Sequence, residues 1–422
     1  MKALLISYFF PPSKSAGGLR AFSLCKHLPE KNIEVVLLTS ETELKDNKEL
    51  QQEYKLKEVF FCKKTKLREW GYKTKILAGL ELLKLDKFLF FPDIYFPWVR
   101  KAIKTGKRVI ETSKPDFIIV TAPPFSVFKA AVKLSKKYNL PLVLDYRDPW
   151  NGSPYIMYPT NCIRKRYLRA EQKFAASSDL IVTIGDECAK LISDSIKVPL
   201  NNIEIIHNGY IKERIPKDLS QEKNSVFTLT IAGSIFLLLE KTLNVFLSGF
   251  SKFVLENKLS PEEIKIQYAG GTSRKTIGRA LDNAQVNDYF RDLGFLENEE
   301  YYSVLSKSHV LVHLLPNKTE YAIATRLYDY FNSNSHILIV GNEGGPSRIC
   351  REIEQSFSII NENVNDISEK MKELFQAREK SSLKFGSNLE LIQKYDRQNL
   401  TYEYAMLLKD WFRKTKRTSI KK

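Results

Sequence analysis

The chain reads as an α/β protein of two Rossmann-like domains, each a doubly wound parallel sheet, and three observations say so. Short apolar runs recur along it, separated by stretches of helical spacing, which is the pattern of strands buried on both faces. A polar run from Lys212 to Asn224, with Pro216 inside it, splits that series in two. The first apolar run, Ala3-Leu4-Leu5-Ile6, leads through Pro11-Pro12 to Gly17-Gly18 and then to a helical pattern. At 422 residues the chain also exceeds what one core usually serves.

The elements follow in order. After the first strand, Leu19, Phe22, Leu24, Cys25 and Leu28 are spaced to cover one helical face. Further strands are predicted at 33–39, 116–121, 142–145, 178–183 and 203–207. The second series begins at Thr228-Leu229-Thr230-Ile231-Ala232-Gly233 and continues at 264–271, 310–314 and 337–340. Residues 389–412 read as one or two long helices. The domains are therefore placed at 1–212 and 225–388, with 389–422 a helix returning toward the first domain and ending in a basic tail.

Two such sheets leave a cleft along the C-terminal ends of their strands, where α/β folds bind ligands. Gly17/Gly18, Pro123/Pro124, Arg147/Asp148, Asn208/Gly209, Gly233/Ser234 and Gly270/Gly271 all fall at those ends. Gly17 and Gly18 either let backbone N–H groups approach a phosphate at the helix N-terminus or serve turn geometry alone. No G-x-G-x-x-G dinucleotide fingerprint is present. The five histidines show no pairing and read as structural.

The net charge of +17 is unevenly placed: residues 61–110 hold 13 Lys or Arg against four acids, a net +9. Trp70, Tyr72, Phe90, Phe91 and Trp98 lie among those bases, which suits an anionic membrane surface or a merely solvated lysine-rich face. No helix-turn-helix, zinc or RNA-recognition signature accompanies the charge, so no nucleic-acid partner is expected. Five scattered cysteines without C-x-x-C spacing point to a reducing compartment and not to a metal cage. No signal peptide and no apolar run of spanning length is read, so the expected place is the cytoplasm.

Several of these stretches resemble a known family. Tyr8 to Arg20, Ala122-Pro123-Pro124-Phe125-Ser126 and Leu144-Asp145-Tyr146-Arg147-Asp148-Pro149-Trp150 are similar to glycosyltransferase family 4, of GT-B fold, in the branch that builds bacterial surface polysaccharides. Phe91-Pro92-Asp93, Asp179 to Thr183 and Ile205 to Tyr210 extend the likeness. Asp292 to Leu296, with Phe295, and Thr325 to Phe331 resemble its donor-site elements. The resemblance implies a retaining, metal-independent hexosyl transfer without cofactor, from a nucleotide sugar to a lipid-linked or oligosaccharide acceptor of capsule, O-antigen or exopolysaccharide synthesis. The enzyme would work at the inner face of the plasma membrane. The chain departs from the pattern: Asp329 stands where relatives carry glutamate and Arg326 where they carry lysine. Glu320 lies nine positions before Asp329, not eight, and only Lys241 follows Gly233-Ser234.

The chemistry needs positive charge against a departing diphosphate, which Arg326 or Lys241 can supply. Asp329, one helical turn on, would hold the donor ribose or else pair with Arg326 on the surface. Arg147 and Asp148 either face the reacting groups or form a buried pair fixing their turn. The expected donor site is Gly233, Ser234, Lys241, Gly270, Gly271, Phe295, Glu320, Arg326 and Asp329. Gly17, Gly18, Arg20, Pro124 and Asn208 form the acceptor or phosphate loop. The other reading is a sugar-nucleotide-binding or polysaccharide-assembly protein without turnover.

Overall fold

The computed structural model describes residues 1–12, 16–41, 43–54, 56–63, 86–154, 156–219, 222–235, 237–272 and 274–420. The basic and aromatic stretch 64–85, with Trp70 and Tyr72, lies outside the described residues. Two units emerge: Met1–Asn208 with Arg397–Lys422, and Gly209–Asp396. The division falls four residues before the expected boundary at 212, and residues 389–396 stay with the second unit. Lys223 shows why the polar run belongs there. Its ammonium donates to the carbonyls of Ser306 (2.7 Å), Ser308 (2.9 Å) and Asn334 (2.6 Å), which ties the run into the second unit.

In the first unit β1 (Lys2–Ser7), β2 (Glu34–Ser40), β3 (Glu58–Cys62), β4 (Phe117–Ala122), β5 (Leu142–Tyr146), β6 (Leu180–Thr183) and β7 (Ile203–Ile205) run parallel in the order β3-β2-β1-β4-β5-β6-β7. Side chains alternate between two buried layers, as the strand period requires. Leu4, Ile6, Ile118, Val120 and Leu144 meet the helices Phe96–Ser113, Ser126–Tyr138, Asn161–Ala175 and Asp186–Ile196. Ala3, Leu5, Phe117, Ile119 and Val143 meet the Leu19–His27 helix and the Arg397–Ile420 helix. The Leu19–His27 helix also packs against that C-terminal helix. It therefore buries Arg20, Ser23 and His27 as well as its apolar stripe.

The second unit repeats the plan with β8 (Phe227–Ala232), β9 (Ile264–Ala269), β10 (Phe290–Gly294), β11 (Val310–Leu314), β12 (His336–Val340) and β13 (Phe357–Ile360), in the order β10-β9-β8-β11-β12-β13. In both sheets the winding reverses beside the first strand, between β1 and β4 and between β8 and β11, and ligands of open α/β sheets bind at such switch points. Among the described residues no helix is long and apolar enough to cross a membrane, and no three His, Cys, Asp or Glu side chains gather as a metal site.

Candidate functional site

At the first switch point the chain leaves β1 and forms a turn, Ala16–Gly18, that opens the Leu19–His27 helix. The two glycines do different things. A Cβ on Gly18 would press on the Phe10 backbone at 3.0 Å and on Pro11 at 3.1 Å, so Gly18 is needed for close packing of its own loop. A Cβ on Gly17 would instead sit 2.8 Å from Nη1 of Arg147. Gly18→Ala should therefore lower the melting temperature, at a cost of about 1–3 kcal/mol typical of overpacking. Gly17→Ala should leave melting nearly unchanged and lower activity by displacing the guanidinium. Thermal melts beside turnover assays check both, and matched losses in the two variants would refute the division.

Arg147 is 7% exposed. Its Nε donates to the Ala122 carbonyl (3.2 Å) and Nη2 to the Pro123 carbonyl, while Nη1, toward Gly17, has no partner among the described residues. Burial lowers the guanidinium to about 10, against the opposing charges of Asp148 and Asp145, so it stays cationic at neutral pH. Asp148 keeps an edge in solvent while protein crowds its other sides, and this burial pushes its carboxyl up to about 6, opposed by Arg147. No ion pair joins the two.

The turn that carries them is held from behind. Trp150 stacks between Phe125 (5.0 Å) and Phe174 (6.1 Å), and the buried Glu171 accepts from the Asn151 backbone N–H (3.1 Å), the Asn151 side chain (2.7 Å) and Ser195 Oγ (2.7 Å). Burial raises the Glu171 carboxyl. Pro149-Trp150 was visible as a turn signal; nothing in the sequence marked Glu171.

Arg20 does not face the loop as expected. It is 5% exposed and its fork closes on Asp145 (2.7, 2.8 and 3.0 Å), with Nη1 on the carbonyls of Ile206 (2.8 Å) and His207 (3.1 Å). A guanidinium so engaged is a strut, not a phosphate ligand. Asn208, half-buried, closes the unit just after those carbonyls, and Pro124 is buried at the start of the Ser126–Tyr138 helix.

At the second switch point Gly233 takes a φ of 84°, the left-handed region that favours glycine, and a Cβ there would lie 3.0 Å from Arg326 Nη1. Arg326 opens the Thr325–Phe331 helix, and its Nη1 donates to the Ala232 carbonyl at 3.0 Å. Asp329 accepts from Tyr302 Oη at 2.9 Å, so at least one of its carboxylate oxygens is engaged from the neighbouring Asn298–Lys307 helix. Gly270 packs on the Gly233 carbonyl, which a Cβ would meet at 2.3 Å, whereas Gly271 has open space around it. Ser234 and Lys241 are exposed, and Phe295 is 59% exposed on the loop after β10. Glu320 accepts from Asn342 (2.8 Å) and the Lys318 N–H (3.2 Å); those bonds lower its carboxyl against the desolvation that would raise it.

Two parallel-sheet units with cationic groups at their switch points make this the fold of the GT-B glycosyltransferases. Residues 18–214, a little under half of the chain, match the model of Glycosyltransferase Family 4. Among solved structures, Anabaena HepE in complex with UDP and glucose shares 12% identity, with a TM-score of 0.68 over 97% of this chain and 99% of that one. Sucrose-phosphate synthase from Thermosynechococcus elongatus is 11% identical, with a TM-score of 0.68 over 98% and 99%. The lipopolysaccharide outer core galactosyltransferase WaaB is 10% identical, with a TM-score of 0.64 over 97% and 100%. No curated protein sequence matches the chain.

Proposed function

We propose that the protein transfers a sugar from a nucleotide-sugar donor to a lipid-linked saccharide acceptor of surface-polysaccharide synthesis, with retention and without a metal. The observation that carries this reading is the buried, partly unpartnered Arg147 guanidinium set against Gly17 at a helix N-terminus, inside the stretch that matches the family 4 model. Both the helix end and the cation favour the oxygen of a phosphate or a developing alkoxide. Arg326 beside Gly233 offers a second cation at the other switch point. Retention and metal independence rest on the family resemblance alone. The UDP and glucose in the Anabaena neighbour make UDP-glucose the first donor to try. Incubation with UDP-, GDP-, ADP- and CMP-sugars should release nucleotide from one of them, faster with a polyprenyl-linked saccharide present. Binding without release from any donor would favour the assembly role, for which the replacement of glutamate by Asp329, held by Tyr302, already speaks.

A membrane surface is the proposed second partner, and the structure moves the supporting observations. Trp98, expected to face lipid, is fully buried against Tyr8, and Phe91 lies under Arg166. The charge persists elsewhere: Lys129, Lys133, Lys136 and Lys137 are all the charged residues of the Ser126–Tyr138 helix. The adjoining helices add Arg100, Lys101 and Lys104, and Arg164, Lys165, Arg166 and Arg169. Burial and then Lys133, Arg166 and Arg100 lower the Lys129 ammonium, the mark of a field shared across three helices. Phe88, Leu89 and Phe96 are exposed nearby in sequence. Replacing Lys133, Lys136 and Lys137 by glutamine should reduce co-sedimentation with phosphatidylglycerol vesicles, each lysine near lipid contributing about 1 kcal/mol. Unchanged binding, or equal binding to neutral vesicles, would remove this face from the proposal.

A further inference from the structure

His313 was expected to be structural, and its surroundings say otherwise. Along β11, Val310, Val312 and Leu314 enter one core layer, while Leu311 and then Leu315 enter the other. The period of two puts His313 in the second layer, beneath the Thr325–Phe331 helix. Val312 is in register with Ile231 of β8, so His313 comes level with Ala232. The groups on either side of it are engaged. The Ala232 carbonyl accepts from Arg326, the Ala232 N–H donates to Tyr330 Oη (3.0 Å), and that hydroxyl donates to the Val312 carbonyl (3.3 Å).

His313 itself is 1% exposed, and neither Nδ1 nor Nε2 has a hydrogen-bond partner among the described residues. Arg326 Nε is likewise enclosed and unpartnered. Burial first, and then the Arg326 charge, lower the imidazole to about 3, so it is neutral at working pH and one ring nitrogen is an acceptor. An unsatisfied buried polar ring is a costly way to fill space that leucine would fill. Arg326 is the charged group whose field reaches the imidazole, and its Nε–H is an unmet donor.

We propose that His313 is a positioning residue for Arg326. In the arrangement seen, Nη1 rests on the Ala232 carbonyl. When a diphosphate draws the guanidinium forward, the neutral imidazole takes the Nε–H, directly or through one water, and fixes the plane of the fork. The inference rests on the donor reading of this switch point. It concerns a residue that the resemblance does not include.

The test is calorimetric titration of UDP, GDP and ADP into the full chain, followed by the tightest of the three into variants. His313→Leu should melt no lower than the wild type, because it removes an unpaired polar group. Its nucleotide affinity should fall roughly tenfold, the order of one hydrogen bond to a charged group. His313→Gln should recover part of that loss by restoring an acceptor. In an Arg326→Met background, His313→Leu should cost nothing further, since the group it positions is gone. Wild-type affinity in His313→Leu, or an equal loss in both backgrounds, would overturn the proposal while leaving the donor reading in place. Failure of the wild type to bind any of the three nucleotides would overturn the donor reading and this inference with it.

Discussion

Arg147→Met is expected to lower kcat on the order of 100-fold or more, with a smaller change in KM. Methionine keeps much of the packing volume and removes a cation whose burial already works against it, as the fall of the guanidinium to about 10 shows. The Ala122 carbonyl keeps a partner, because the backbone N–H of residue 147 donates to it at 2.9 Å. Stability should therefore move by no more than about 1–2 kcal/mol. Arg147→Lys should not rescue turnover: one ammonium cannot hold the Ala122 and Pro123 carbonyls and still present a donor beside Gly17. Steady-state kinetics with a thermal melt decide it. If kcat survives, or if melting temperature collapses in step with it, Arg147 only fixes the turn.

The interior of each sheet was legible in the sequence because its strands are buried on both faces and read as continuous apolar runs. β1, β4, β5, β8, β11 and β12 begin and end within two residues of expectation. The strands not anticipated, β3, β10 and β13, are sheet edges and only half-buried; polar residues or glycine interrupt β10 and β13, whereas the Val59-Phe60-Phe61-Cys62 run of β3 was present and not read as a strand. The switch-point loops were also legible, since Gly and Pro mark them. Which residues there are struts was not. Arg20, in the first turn of the Leu19–His27 helix, and Arg147, just after β5, carry the same side chain, yet one closes on Asp145 and the other leaves Nη1 open. That difference depends on Ile206 and His207, 186 and 187 residues from Arg20, and on the C-terminal helix, farther still in sequence. His313 was passed over for a related reason: only the register of β11 against β8 brings it level with Ala232, whose carbonyl accepts from Arg326.

Asp145→Ala is expected to cost the first unit about 3–5 kcal/mol, the range for stranding one partner of a buried ion pair. For a unit of this size that is on the order of 10 °C in melting temperature. Asp145 has no exposure and Arg20 only 5%, so the guanidinium left behind could not reach water. It would stay bonded to the Ile206 and His207 carbonyls and face the Tyr404 ring at 5.6 Å, having lost its buried carboxylate partner. Replacing both partners tests the cause. The Arg20→Met, Asp145→Leu double variant removes the desolvation cost of both charges along with their attraction, and apolar replacement of such pairs is often neutral. It should recover most of the loss seen in Asp145→Ala, measured by denaturant unfolding. A double variant as unstable as the single one would show that the two carbonyl bonds of Arg20, and not the paired charge, hold the end of β7 to the Leu19–His27 helix.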